Sequence, residues 1–312
     1  MVRPSIKLRR WPEDVPTTPT GMASSGHWRI GVVALVLGAV LLLAALGPAP
    51  WVQAFRHVHP LLEQHVRYAD WEQARSEHFR LYYLPEDEPY VPLILAEAEA
   101  VYRTFARQFQ FVPSRPVPLV LFAHHGQMQQ RFGWSAAEKA SGVYYGGVIY
   151  LLSPRTLWPP DPATALEDAQ LARRYHEEGP LFHEYTHWYL DAFANNNFPR
   201  WYTEGLAQLV EYEMIGYEWL NDNNRLNRRE LYTFRQLDAS FDRLENVALA
   251  YRQAFKFVQF VRQEHGWEQM LAFHRRLAQG IPFSRAWQDV FGESVEQSYD
   301  RWREHVRKGG YE

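Results

Sequence analysis

The stretch His183-Glu184-Tyr185-Thr186-His187, followed seventeen residues after its second histidine by Glu204 in Trp201-Tyr202-Thr203-Glu204-Gly205, constrains this chain more than any other feature. Two histidines four apart lie one turn above the other on the same face of a helix. The surrounding residues Leu181, Phe182, Tyr185, Trp188, Tyr189, Leu190 and Phe193 make that helix apolar almost all round, as a buried helix must be. Buried imidazoles and carboxylates are costly without partners, and one metal ion can partner them all. Pro180 stands where a helix can begin. Asn195, Asn196 and Asn197 with Pro199 then read as a loop, and residues 200–215 read as a second helix that carries Glu204 back to the first. Any fold available to the chain must therefore set these two helices side by side.

Three protein donors leave the fourth position of a tetrahedral ion free for water. His183, His187 and Glu204 are the expected ligands of Zn2+, one ion per chain. Glu184, one step round the helix from His183, lies beside the ion and can take a proton from its bound water without ligating. Polar residues on an ordinary amphipathic helix are the alternative, and the apolar neighbours argue against it. Each ligating imidazole needs a partner for its second nitrogen. Gln208 and Glu211, one and two turns beyond Glu204, are within reach.

At these residues the chain resembles the gluzincins, metallopeptidases with HExxH and a downstream glutamate ligand. It most resembles the bacterial peptidase MA-like family, whose second motif reads as a proline, a tryptophan, then Glu-Gly-Leu-Ala. Here that stretch is Pro199-Arg200-Trp201-Tyr202-Thr203-Glu204-Gly205-Leu206-Ala207, and the resemblance extends over about residues 76–305. It implies a zinc-dependent peptidase of zincin-like fold, with a zinc-bound water activated by Glu184 and with peptides or proteins as substrates. It also implies an oxyanion donor at Tyr251, in Leu249-Ala250-Tyr251-Arg252-Gln253-Ala254-Phe255, with Tyr202 and His265 in reserve. An edge strand ahead of the metal helices would hold substrate through the main chain of Gly147 and Val148. The aminopeptidase branch carries an acidic residue in this strand. Residues 142–152 have none, so the resemblance gives no support for an aminopeptidase, and an endopeptidase or an unassigned specificity is the expectation. A reading from another class also stays open: a non-catalytic, zinc-stabilised module that binds peptide or cell-envelope partners through the same cleft.

Residues 30–47 form an uncharged apolar run, about 27 Å long as a helix and close to the thickness of a bilayer core. Trp28 and Trp51 flank it, and Arg3, Lys7, Arg9, Arg10 and Arg29 precede it. The expectation is one transmembrane signal-anchor with a cytoplasmic tail and an extracytoplasmic domain at the cell membrane. Secretion after signal cleavage is the lesser reading. The formal charge of −3 argues against a nucleic-acid binder. The chain has no cysteine, which excludes disulfides and thiolate metal sites.

The rest reads as α+β: a small N-terminal mixed sheet with helices, then a mainly helical C-terminal half, with the cleft between them. The expected divisions are a disordered tail over 1–29, the signal-anchor over 30–50, a juxtamembrane stalk over 51–75, an α/β subdomain over 76–160 and a helical subdomain over 161–312. Strands are expected over 76–84 and 117–123, a strand pair over 142–152 bent at Gly146-Gly147, and helices over 87–110 and 127–132. Thr164 and Glu167 have capping-box spacing for a helix that ends near Glu178. Later breaks fall near Gly266, Gly280 and Gly292. His57, His59 and His65 read as residues of a wet linker, His176 with Glu177 and Glu178 as a helix-end charge cluster, and Arg225, Arg228, Arg229 and Arg235 as a solvated face.

Overall fold

A computed structural model describes residues 67–159, 168–194 and 196–311. The expected tail, signal-anchor and most of the stalk, with the capping box at Thr164, lie outside the described residues. Among the described residues, no helix is long and apolar enough to cross a membrane.

Five strands form one mixed sheet in the order β1-β2-β3-β5-β4. They are β1 (Glu72–Arg75), β2 (Phe79–Tyr83), β3 (Val117–Phe122), β4 (Gly142–Tyr145) and β5 (Val148–Leu152). The inner strands β2, β3 and β5 run parallel, with Leu81 beside Leu119 and Leu121 beside Leu151. The two edge strands are antiparallel to their neighbours. Parallel strands are covered on both faces, and β3 and β5 are buried throughout. Alternate residues serve the two faces. Phe79, Leu81, Leu119, Leu121, Ile149 and Leu151 join the main core. Tyr82, Val120, Phe122, Val148, Tyr150 and Leu152 form a smaller cluster with Tyr68 and with Met128 of α2 (His125–Phe132).

The main core lies between the sheet and the helices. Helix α1 (Val91–Phe109) turns Ile94, Ala98, Val101, Phe105 and Phe109 inward, the spacing of one helical stripe. Residues 87–90 differ from the expected helix over 87–110. They belong to a 3-10 segment, Pro85–Tyr90, because Pro89 cannot donate to an α-helical ladder. That segment also turns the Asp87 carboxylate inward to accept from Ser153 Oγ at 2.7 Å. The sheet also takes in Glu72–Arg75, a stretch assigned to the stalk from its sequence. Its residues are mostly exposed and polar, so it carries no alternating apolar signal.

The helical half comprises α3 (Asp168–Glu178), α4 (Leu181–Ala194), α5 (Arg200–Ile215), α6 (Phe234–Ser240), α7 (Val247–Ala278, bent at Gly266), α8 (Phe283–Phe291) and α9 (Val295–Arg307). Helix α4 is enclosed: Tyr185, Tyr189 and Leu190 are fully buried, and burial of a side chain like that of Leu190 contributes about 1.5–3 kcal/mol. Helices α5 and α7 approach closely because position 205 has no side chain. A Cβ on Gly205 would stand 2.5 Å from the Ala254 carbonyl oxygen and 2.8 Å from Val258 Cγ2. Three helices also meet at His274, which is fully buried. Its Nδ1 lies 3.2 Å from Tyr189 Oη and its Nε2 2.7 Å from Tyr202 Oη. Burial pushes its pKa down to about 3, so a neutral ring ties α4, α5 and α7 together.

Candidate metal centre

Helices α4 and α5 bring His183, His187 and Glu204 together, with one ligand atom from each lying within 4.8 Å of the others. His183 Nε2 is 3.3 Å from Glu204 Oε2, and His187 Nε2 is 3.4 Å from Glu204 Oε1. The opposite ring nitrogens are occupied. His183 Nδ1 is 2.9 Å from Glu211 Oε2, and His187 Nδ1 is 2.6 Å from Thr203 Oγ1. Both rings are thereby oriented with Nε2 toward one point. Glu204 is 1% exposed, and its Oε2 has no hydrogen-bond partner despite being buried. A buried carboxylate oxygen left in that condition is costly. Two imidazole nitrogens and a carboxylate lacking a partner at one oxygen fit a divalent metal ion, and three protein donors leave a tetrahedral ion one further coordination position.

The charges around the centre are unequal. Burial tends to raise the Glu204 carboxyl, but His187, His183 and Arg200 outweigh it and hold the group at about 2. Burial pushes His187 down to about 3, leaving the neutral imidazole that a metal requires. Burial acts the same way on His183, but Glu211, Glu204 and Glu184 overcome it and raise that ring well above its ordinary value. Glu184 is 7% exposed. Burial, reinforced by Glu204 and Glu211 against His183 and the Tyr144 backbone, pushes its carboxyl up to about 7. A carboxyl poised near neutrality can both take and return a proton.

The sheet edge fixes Glu184 in place. A Cβ at Gly142 of β4 would stand 2.7 Å from Glu184 Cγ and 2.7 Å from Pro180 Cβ. Only glycine lets the strand and the helix come so close. Two residues on, Tyr144 lies over His187 with ring centroids 6.4 Å apart, and its hydroxyl donates to Asp191.

Tyr251 of α7 accepts a hydrogen bond from Arg200 Nη2 at 3.3 Å. Burial and the nearby Glu204 carboxylate push its phenol well above its ordinary value. Glu211 is the partner of His183, while Gln208, buried on the same helix, makes no hydrogen bond to either ring among the described residues. Tyr202 points into the core at His274. The His265 ring packs on Phe291 with centroids 4.8 Å apart. His176 pairs with Glu97 at 2.9 Å, outside the centre.

The edge expectation needs correction at Gly147 and Val148. Gly147 sits in the hairpin turn, where its N–H donates to Tyr144 Oη at 3.0 Å. Val148 is fully buried in inner strand β5, opposite Tyr145. The open edge belongs to β4, because β5 is inserted between β3 and β4. Sequence reasoning also missed Thr203, Tyr144 and Arg200. For Arg200 a signal existed: it stands one helical turn before Glu204, and the two form an ion pair.

No curated protein matches the chain. Residues 169–308 match the family model of the Peptidase MA superfamily. The match takes in both metal helices and Tyr251 and leaves out the sheet. The assembled His-His-Glu centre and the match over residues 169–308 together support a peptidase MA-like, gluzincin-type relationship for the helical half.

Proposed function

We propose that this chain is a zinc-dependent endopeptidase, tethered to a membrane by residues 30–47 with its catalytic part outside the cytoplasm. The observation that carries the reading is the buried Glu204 carboxylate set between the two imidazoles, with Oε2 toward His183 Nε2 and without a hydrogen-bond partner and Oε1 toward His187 Nε2, beside a Glu184 carboxyl raised to about 7. Zinc held by these three residues would supply a Lewis acid for the scissile carbonyl and for water. Glu184, in its carboxylate form, accepts the proton of the attacking water and then delivers it to the departing amine. The Tyr251 hydroxyl donates to the oxygen that gains charge in the tetrahedral state. An extended substrate pairs with the open edge of β4, Gly142–Tyr145, by main-chain hydrogen bonds. Absence of a side chain at Gly142 keeps Glu184 against that edge, within reach of the bond it serves. The membrane assignment is supported by the apolar run and its preceding arginines and lysine.

Peptides blocked at both ends test the endopeptidase reading. The zinc-loaded protein is expected to cut them internally; cleavage confined to peptides with a free terminus would refute that reading. Tyr251→Phe is expected to lower kcat by about a hundredfold, the usual cost of losing one oxyanion donor, with zinc content unchanged. A variant with unaltered kcat would remove Tyr251 from the mechanism.

A further inference from the structure

Arg200 reaches three groups at once. Its Nη1 is paired with Glu204 Oε1, its Nη2 donates to Tyr251 Oη at 3.3 Å, and its Nε donates to Asp242 Oδ1 at 3.3 Å. An ordinary i,i+4 pair on a helix surface joins two exposed side chains. Here the arginine side chain is 48% exposed, but its carboxylate partner is 2% exposed and faces two imidazoles. The guanidinium therefore enters the centre from its solvent side and is anchored there by Asp242.

Two consequences follow from the chemistry of that fork. First, Glu204 has two oxygens in different states: Oε1 is taken by Arg200, while Oε2 has no hydrogen-bond partner. Second, a guanidinium donates and never accepts. The Tyr251 oxygen accepts a hydrogen bond from Arg200, so its own O–H must point elsewhere, and among the described residues nothing takes it. The planar fork also fixes the spacing of its partners. It links Glu204 on α5 to Tyr251 on α7, two helices already held close at Gly205.

We propose that Arg200 is a positioning residue: it reserves one oxygen of Glu204, so that the metal meets the other alone, and it aims the Tyr251 hydroxyl at the substrate oxygen. This rests on the metallopeptidase reading and adds to it a residue that touches neither metal nor substrate. Without Arg200, Oε1 is free to join Oε2 on the ion, raising its coordination number, and Tyr251 loses its orientation.

Cobalt-substituted full-length protein gives a readout separate from turnover, because four-coordinate cobalt absorbs visible light far more strongly than five- or six-coordinate cobalt. Arg200→Met is expected to keep its metal stoichiometry and thermal midpoint, since the side chain is half exposed at a helix start. Its visible absorption should fall several-fold, and its kcat roughly tenfold with KM little changed, the scale of a small misplacement in a preorganised site. Arg200→Lys keeps the charge but cannot hold three partners in a fixed plane, and it should behave like Arg200→Met. Unchanged absorption and kcat in Arg200→Met would overturn the inference. Full restoration by Arg200→Lys would also overturn it, since charge alone would then suffice. If the unaltered protein took up neither cobalt nor zinc, the metallopeptidase reading itself would fall.

Discussion

Glu184→Gln is expected to retain its metal and lose peptide hydrolysis by about 10²–10⁴-fold, the usual contribution of a positioned general base. The amide keeps the shape of the carboxyl and cannot take a proton. Its surroundings tolerate the change, because burial already disfavours a charge here and has pushed the carboxyl up to about 7. Glu184 is not among the clustered metal donors, so zinc content should not move. Steady-state rates beside zinc content separate the two properties in one preparation. Turnover equal to that of the unaltered protein would show that the proton goes to another group.

Glu204→Ala is expected to act on the metal itself. Losing an outer partner of a ligand weakens a site by about 10–100-fold, and losing a ligand should cost more. Glu211→Gln supplies the comparison, since Glu211 only orients His183 through Nδ1. Competition against a chelator of known affinity measures both variants. Glu204→Ala should fall well below Glu211→Gln. If the two weaken metal equally, Glu204 is an outer partner and the third donor lies elsewhere. The alanine variant also leaves Arg200, His183 and His187 without their shared carboxylate. Arg200 keeps Asp242 as a second anion, so the fold should survive the change.

The metal helices were legible because local rules govern them. A spacing of four puts His183 and His187 on one face, and the apolar neighbours bury that face. Pro199 and Gly216 bracket α5, whose extent, Arg200–Ile215, is the one its sequence predicts. Glu211 was reachable from the same periodicity. The supporting shell was less legible, since it depends on which elements meet in space. Tyr144 lies 47 residues from its partner Asp191, and Tyr251 lies 51 residues from Arg200. Nothing in a local window joins them.

The sheet divides in the same way. Its hairpin over Gly146-Gly147 was readable from turn chemistry, but which arm forms the edge was not. β4 precedes β5 in sequence and lies outside it in space. Edge strand β1, being polar and short, resembles a linker in its sequence. Gly142 and Gly205 each remove a side chain where two elements must touch, and only the assembled packing distinguishes them from loop glycines.

Zinc content measured together with casein hydrolysis, before chelation, after chelation and after zinc is restored, tests the central claim most directly. One zinc per chain is expected, with hydrolysis that disappears with the metal and returns with it. Absence of bound zinc, or casein hydrolysis equally fast without it, would rule out a zinc peptidase.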